Sequence, residues 1–242
     1  MNKDRAKDLF IERMHSLWLP SFCDARAGNF LVEGIVEKSI DRLTGFDAYW
    51  FMRAVDNEIV VEEAGFFTAP RTTAKEQIFW SGNKTATVRD IYVWAEPIIT
   101  IGAVAWLHEE FGWPIEHLGT QSKYPWPFDL ICYEPTTENY RIACEVKKAN
   151  HEVTRLIKLM KEYSASEPLE TEPLNSTEQN AYRKIVGIRA TWPEIFWALG
   201  PDGVGEAFAV CRKTDGQQFD FFPWIRPALV SRNSSTASNQ LQ

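Results

Sequence analysis

The stretch Phe128–Lys148, FDLICYEPTTENYRIACEVKK, decides the fold and most of the functional interpretation. Two short apolar runs flank a polar turn, which is typical of a β-hairpin. Asp129 lies near the start of the first run, and the second run ends in Glu145-Val146-Lys147. Because strand side chains alternate between two faces, Glu145 and Lys147 share a face, and a hairpin allows Asp129 to approach them. The sequence therefore predicts two carboxylates and an ammonium group at one point on a hydrophobic sheet.

This group of charges is typical of a metal-ion phosphodiesterase site. Neighbouring carboxylates repel each other unless a cation lies between them, and hard divalent cations prefer oxygen ligands. An ionised glutamate inside an apolar strand is also costly unless something compensates its charge. We therefore expect Asp129 and Glu145 to bind a metal ion. The alternatives are a turn acid at the strand start for Asp129 and a simple salt bridge between Lys147 and one of the two acids.

Composition limits the classes of protein to consider. The chain has 242 residues, 45% hydrophobic and 24% charged, which suits one large domain or one domain with an elaboration. A net charge of −7 and a pI near 5.3 argue against a protein that coats nucleic acid, but allow an enzyme with a local basic patch. Without a CxxC pair, zinc sites are not expected. With no signal peptide and no membrane-length apolar run, we expect a cytoplasmic protein that does not enter a membrane.

The first third of the chain carries no motif that we can connect to chemistry. Apolar spacing predicts helices over residues 3–18 and 28–43. Aromatic and β-branched residues in AYWFMRAV, residues 48–55, and EIVVEEAGFF, residues 58–67, predict a hairpin between them.

From residue 95 onward, the pattern predicts alternating helices and strands. The expected elements are a helix over 95–111, a strand over 115–122, the hairpin quoted above, a helix over 151–163 with Asn150 as its N-cap, a helix over 177–187, and a late hairpin over 194–213. In the helix over 177–187 and just after it, Arg183, Lys184 and Arg189 are expected to face outward. The acidic segment 164–176 is predicted to be an exposed loop.

Residues 90–212 resemble the PD-(D/E)xK nuclease superfamily, which has the restriction-endonuclease-like fold. The resemblance lies in the order helix, strand, Asp-bearing strand, Glu-x-Lys strand, helix, and in the segments Pro127-Phe128-Asp129 and Glu145-Val146-Lys147. The surroundings look like the nuclease domains of type I restriction subunits and related defence or repair nucleases. This sequence departs from the usual Pro-Asp pair, because Phe128 separates the two residues.

The resemblance implies an α/β fold with an αβββαβ core around a mixed central sheet, plus an N-terminal α+β elaboration. We accordingly expect three parts: an N-terminal region of residues 1–88, a nuclease-like domain of residues 89–230, and a flexible tail of residues 231–242.

The same resemblance implies a role for each site residue. Asp129 and Glu145 are expected to bind the metal, with the backbone carbonyl of Val146 as a third ligand. Lys147 is expected to orient or help deprotonate the attacking water and to stabilise charge on the phosphate. Glu96 is a candidate auxiliary acid; alternatively, it is an N-terminal helix acid favoured by the macrodipole.

These expectations combine into one functional hypothesis and two rivals. The hypothesis is a Mg²⁺-dependent nuclease, with Mn²⁺ as a substitute, that cuts DNA in a defence, mobile-element or repair context. Lys148, Arg155 and Lys158 would contact the nucleic-acid backbone, unless they are merely a solvated face. Residues 1–88 would supply dimerisation, target recognition or a partner surface. The first rival is an inactive nuclease-like fold that binds nucleic acid or protein. The second rival is an unrelated α/β interaction protein in which Glu145 and Lys147 are surface residues.

Overall fold

The computed structural model describes residues 2–26, 28–72, 74–82, 87–121, 128–166, 173–214 and 218–224. The described chain is a mixed α/β structure with several sheets, of which the largest contains both parallel and antiparallel strands. No helix in these described ranges is long and apolar enough to cross a membrane.

The N-terminal region is mainly helical. Helix α1, Lys3–Arg13, continues through a π-helical turn, Met14–Trp18, into α2, Leu19–Asp24. Helix α3 spans Gly45–Asp56 and begins with a capping box, in which Thr44 and Asp47 satisfy each other's backbone N–H groups. Two of our predictions for this region are wrong.

The predicted helix over 28–43 is replaced by two short 3₁₀ turns, Val32–Gly34 and Glu37–Arg42. Between the turns, Ile35 forms a parallel bridge to Ile91, so this segment is held by another part of the chain. Leu31 and Val32 are exposed, which leaves the segment without the continuous buried stripe that a helix needs.

The predicted strand over 48–55 is part of α3. Its aromatic residues favoured a strand by composition, but the capping box and the packing of α3 against α4 favour a helix. The second arm of the predicted hairpin instead forms a short hairpin of its own, with a turn at Ala64 and Gly65, both at positive φ.

Two small sheets follow α3. The first contains the strands β1, Val61–Glu63, β2, Phe66–Thr68, and β3, Glu76–Gln77. The second is the hairpin of β4, Phe79–Ser81, and β5, Ile91–Val93.

The main sheet has six strands in the order β11-β10-β9-β8-β7-β6. Their bounds are β6 Leu118–Thr120, β7 Leu130–Tyr133, β8 Tyr140–Val146, β9 Ile195–Leu199, β10 Gly205–Arg212 and β11 Phe219–Trp224. Among the strand pairs that the structure describes in this sheet, only β8–β9 is parallel, and the chain crosses between these two strands through α5, Asn150–Ala165, and α6, Ser176–Thr191. Helix α4, Ala95–Phe111, precedes the sheet.

The sequence predicted much of this second half. The hairpin of β7 and β8 and the late hairpin of β9 and β10 are confirmed. The N-cap of α5 is Ala149, so Asn150 is the first helical residue and our assignment of Asn150 as the cap is wrong by one position. The predicted tail, 231–242, and residues 167–172 of the predicted loop lie outside the described residues.

Side-chain alternation along β8 separates two hydrophobic layers. Ile142, Cys144 and Val146 pack with α1, α3 and α4, whereas Ala143 packs with α5 and α6. Glu145 is two residues after Ala143 on the same strand, so its side chain points to the same face, toward α5 and α6. The first layer contains residues from both sides of position 88, because α3 packs along α4. The division into domains at 88/89 stays a prediction.

Candidate active site

The register of β7 and β8 brings Asp129 to the end of β8. Leu130 pairs with Cys144, and continuing this register places Asp129 opposite Glu145. The Asp129 backbone N–H donates to the Cys144 carbonyl at 3.0 Å, and the Val146 N–H donates to Asp129 Oδ2 at 2.8 Å. Directly opposed residues of an antiparallel pair point to the same face. The predicted approach of Asp129 to Glu145 therefore occurs.

Glu145 is bound by two ammonium groups. Lys147 Nζ lies 2.6 Å from Glu145 Oε1, and Lys184 Nζ lies 2.5 Å from Glu145 Oε2. The backbone N–H of Lys147 donates to the Leu199 carbonyl at 2.8 Å, which fixes the end of β8 to β9. We call Asp129, Glu145, Lys147 and Lys184 the charge cluster.

The charge cluster has a closed end and an open end. The side chains of Glu145 and Lys184 are only 3% and 6% exposed, whereas that of Lys147 is 17% exposed. Asp129 is partly exposed. Asp129 and Lys147 are therefore the more exposed members of the charge cluster.

The two carboxyl groups have opposite pKa shifts. Burial and the neighbouring charge of Glu145 raise the pKa of Asp129 well above its ordinary value. Burial also acts to raise the pKa of Glu145, but Lys184 and Lys147 together outweigh it and lower that pKa. Burial acts to lower the pKa of Lys147, but the carboxyl groups of Glu145 and Asp129 outweigh it and raise that pKa. Glu145 is therefore the ionised partner of the lysines, and Asp129 is the acid that lacks full compensation.

Glu96 lies at the border of this site. It is the second residue of α4, and its Oε1 accepts a hydrogen bond of 3.3 Å from the backbone N–H of Lys148, directly after β8. Its Oε2 accepts from Trp94 Nε1, also at 3.3 Å. The Glu96 charge contributes to the raised pKa of Lys147. This position agrees with both roles considered for Glu96, an auxiliary acid and an N-terminal helix acid.

Glu76 is a second acid near Glu96, and sequence reasoning missed it. Its side chain is buried, and Gln121 Nε2 donates to its Oε1 at 2.8 Å. Burial, with the Glu96 charge adding to it, raises the pKa of Glu76 to about 7. Gln121 is half-buried at positive φ. Glu76 lies on β3, in the region without a motif, and no signal in the sequence pointed to it.

The predicted nucleic-acid contacts lie on the solvent side of α5 and just before it. Lys148, Arg155 and Lys158 are exposed. Lys148 Nζ is 3.8 Å from Glu152 Oε1, a weak ion pair one helical turn apart. Their assignment to nucleic acid stays a prediction.

Lys184 was predicted to face outward, and this is wrong. It is 5% exposed and lies among the buried residues Ala181, Ile185 and Ile188 of α6. These positions follow the i, i+3, i+4 and i+7 spacing of a helix stripe. Helical spacing alone could therefore have placed Lys184 on the buried face, even though a lysine there is unusual.

The oxygen donors of the site are two carboxyl groups, Asp129 and Glu145. Across the ranges that the structure describes, no group of three or more His, Cys, Asp or Glu side chains could hold a metal ion. Two carboxylates are nevertheless the usual protein contribution to a Mg²⁺ site, because Mg²⁺ keeps several of its waters. Asp129 is the more exposed of these two carboxyl groups, and both oxygens of Glu145 are paired with lysines.

Comparisons with known proteins add no relative. No protein-family model, curated protein or solved structure matches this chain.

Proposed function

We propose that this protein is a Mg²⁺-dependent nuclease of the restriction-endonuclease-like type that hydrolyses phosphodiester bonds in DNA. The observation that carries the proposal is the meeting of Asp129, Glu145 and Lys147 at the end of β8. These are the residues that the sequence motif singled out, and the hydrogen bond from the Val146 backbone N–H to the Asp129 carboxylate connects the two strands at that point.

The order of elements supports the same proposal. Helix α4, the antiparallel strands β6, β7 and β8, the helical crossover and the parallel strand β9 follow the αβββαβ order that the resemblance implies. Strands β10 and β11 extend this arrangement on the far side of β9.

The surroundings of each residue favour a different role in the proposed reaction. A bound Mg²⁺ ion would polarise the scissile phosphate and lower the pKa of a water molecule. Asp129 would hold that ion at the open end of the charge cluster, with Glu145 and the Val146 carbonyl as further ligands. Lys147 is a poor proton acceptor, because its pKa is raised. It would therefore act as a positive hydrogen-bond donor that orients water and stabilises charge on the phosphate.

The remaining assignments depend on this site. Glu96 would assist as an auxiliary acid, and Lys148, Arg155 and Lys158 would bind the nucleic-acid backbone. One site cuts one strand, so double-strand cleavage would need two copies or successive nicks. The defence, mobile-element or repair context is supported only by the resemblance.

A second candidate is a non-catalytic binding module with the same fold. The observation in its favour is the pairing of both Glu145 oxygens with ammonium groups, which compensates this carboxylate without a metal ion.

Cleavage of supercoiled plasmid and of single-stranded DNA distinguishes the two candidates. The nuclease account predicts cleavage by the wild type with Mg²⁺ or Mn²⁺, and a loss of about 100-fold or more in Lys147→Ala. Arg183→Ala removes an exposed cation of α6 and is the control, with cleavage expected at the wild-type rate. The nuclease account fails if the wild type cuts neither substrate with either metal, or if Lys147→Ala cuts equally well.

A further inference from the structure

Building on the proposed function, we propose that Lys184 is a positioning residue that holds Glu145 as a built-in counter-cation and thereby limits how tightly the site binds a divalent metal ion. No sequence motif assigns this residue, and its location in the fold is what identifies it.

The placement of Lys184 is well defined by its helix. Helix α6 begins with a capping box, in which Asn175 accepts hydrogen bonds from the backbone and Glu178 bonds back to the Asn175 N–H. Lys184 follows on the stripe that packs against the sheet, with its Nζ 5.8 Å from the ring centroid of Phe128 and 2.5 Å from Glu145 Oε2. The helix thus delivers an ammonium group to the closed end of the charge cluster.

A buried lysine needs compensation, and Glu145 provides it. Breaking a buried ion pair by removing one partner is costly, because the other charge remains without compensation. In the charge cluster, two carboxyl groups face two ammonium groups, so the cluster is formally neutral when all four groups are charged. A divalent cation would therefore compete with two ammonium groups for the carboxylate of Glu145.

Removing the charge of Lys184 should consequently have two effects of opposite sign. The metal-free protein should become less stable, because Glu145 loses one of the two ammonium partners that the structure describes. Divalent metal should bind more tightly, because one positive charge near the ion has been removed. A salt bridge that only supports the fold would produce the first effect without the second.

The test is a titration of Mn²⁺ into the full chain, followed by calorimetry and by the electron paramagnetic resonance signal of free Mn²⁺. We expect Lys184→Met to lower the Kd for Mn²⁺ by about tenfold or more. In EDTA, the same variant should unfold at a lower temperature than the wild type, and Mn²⁺ should raise its Tm by a larger amount. Arg183→Met, on the exposed face of α6, should match the wild type in all three quantities.

Each outcome decides the proposal. If Lys184→Met does not fold without metal, Lys184→Gln keeps a polar group beside Glu145 and should also bind Mn²⁺ more tightly than the wild type. Equal or weaker binding by the folded variants overturns the role of Lys184 and leaves the nuclease account standing. If neither the wild type nor the variants bind Mn²⁺, both proposals fail. If Lys184→Met binds Mn²⁺ and the wild type does not, the result supports the role of Lys184 and contradicts a metal-dependent wild-type enzyme.

Discussion

Asp47 and Asp129 are both carboxyl groups whose pKa burial raises, but their surroundings differ. Asp129 has two lysines nearby, which partly offset its burial. Asp47 accepts hydrogen bonds from the Thr44 hydroxyl at 2.8 Å and from the Asp202 N–H at 3.0 Å. Burial raises the pKa of Asp47 to about 6 despite these bonds, and the Asp202 charge adds to the shift. Asp47 therefore joins α3 to the turn between β9 and β10. Its contribution to the free energy of unfolding depends on pH.

Asp47→Asn should reduce the pH dependence of stability. The folded protein binds the proton more tightly, so the contribution of Asp47 is fully present below its unfolded pKa of 3.8 and is lost as the pH rises through about 6. The loss is at most about 3 kcal/mol at pH 7. Urea unfolding from pH 4 to 7 should show the variant gaining stability relative to the wild type. Because Glu76 titrates in both proteins, its contribution cancels in the difference. A difference that is constant with pH would contradict this assignment.

Single residues also show where sequence reasoning succeeds. Asp129, Glu145 and Lys147 were predictable because strand alternation and hairpin pairing are local rules, and the charges interrupt apolar runs. Lys184 violates the expectation that a lysine is solvated, although its helical spacing points inward. Glu76 was unpredictable, because its position depends on how a short strand from the N-terminal region meets Gln121.

Among the elements, the pair α3 and α4 is the main connection between the N-terminal region and the central sheet. The close approach of these two helices depends on Gly102 of α4. A Cβ atom at this position would lie 3.1 Å from the Phe51 backbone nitrogen and 3.2 Å from the Trp50 Cβ. A Cβ at position 102 would therefore require the backbone of α3 to move by a few tenths of an ångström.

Gly102→Ala should destabilise the protein even though alanine favours helix formation by about 1 kcal/mol. Overpacking a rigid interface typically costs about 1–3 kcal/mol, and the backbone of Phe51 cannot move away without shifting α3. Urea unfolding should give a net loss of stability. A more stable variant would show that helix propensity dominates at this position and that the two helices can separate freely.

Elements were predictable where periodicity was unambiguous. The apolar runs of β7, β8, β9 and β10 and the stripe of α5 gave correct assignments. Helix α3 was mistaken for a strand because its aromatic and β-branched composition outweighed the capping box Thr44-x-x-Asp47 in our reasoning. The segment 28–43 has helical spacing, but contacts with β5 hold it in turns and a bridge. Such contacts are not visible in local sequence.

At the scale of the whole molecule, the sheet separates two hydrophobic layers and places the charge cluster on the α5/α6 side. The N-terminal region lies on the other side, yet its Glu76 lies close enough to Glu96 for the Glu96 charge to raise the pKa of Glu76. The region that carries no motif therefore contributes to the electrostatics at the border of the candidate active site. A function for residues 1–88 in dimerisation, recognition or partner binding stays a prediction.

The central claim is that the charge cluster is an active site rather than a structural group of ion pairs, and Asp129→Asn tests it most directly. Asparagine keeps an oxygen that can accept the Val146 N–H, and it removes a carboxyl group that burial already disfavours in its ionised form. We therefore expect a thermal stability close to that of the wild type, together with a loss of Mg²⁺-dependent DNA cleavage of about 100-fold or more. Cleavage at the wild-type rate by a folded Asp129→Asn protein would contradict the account.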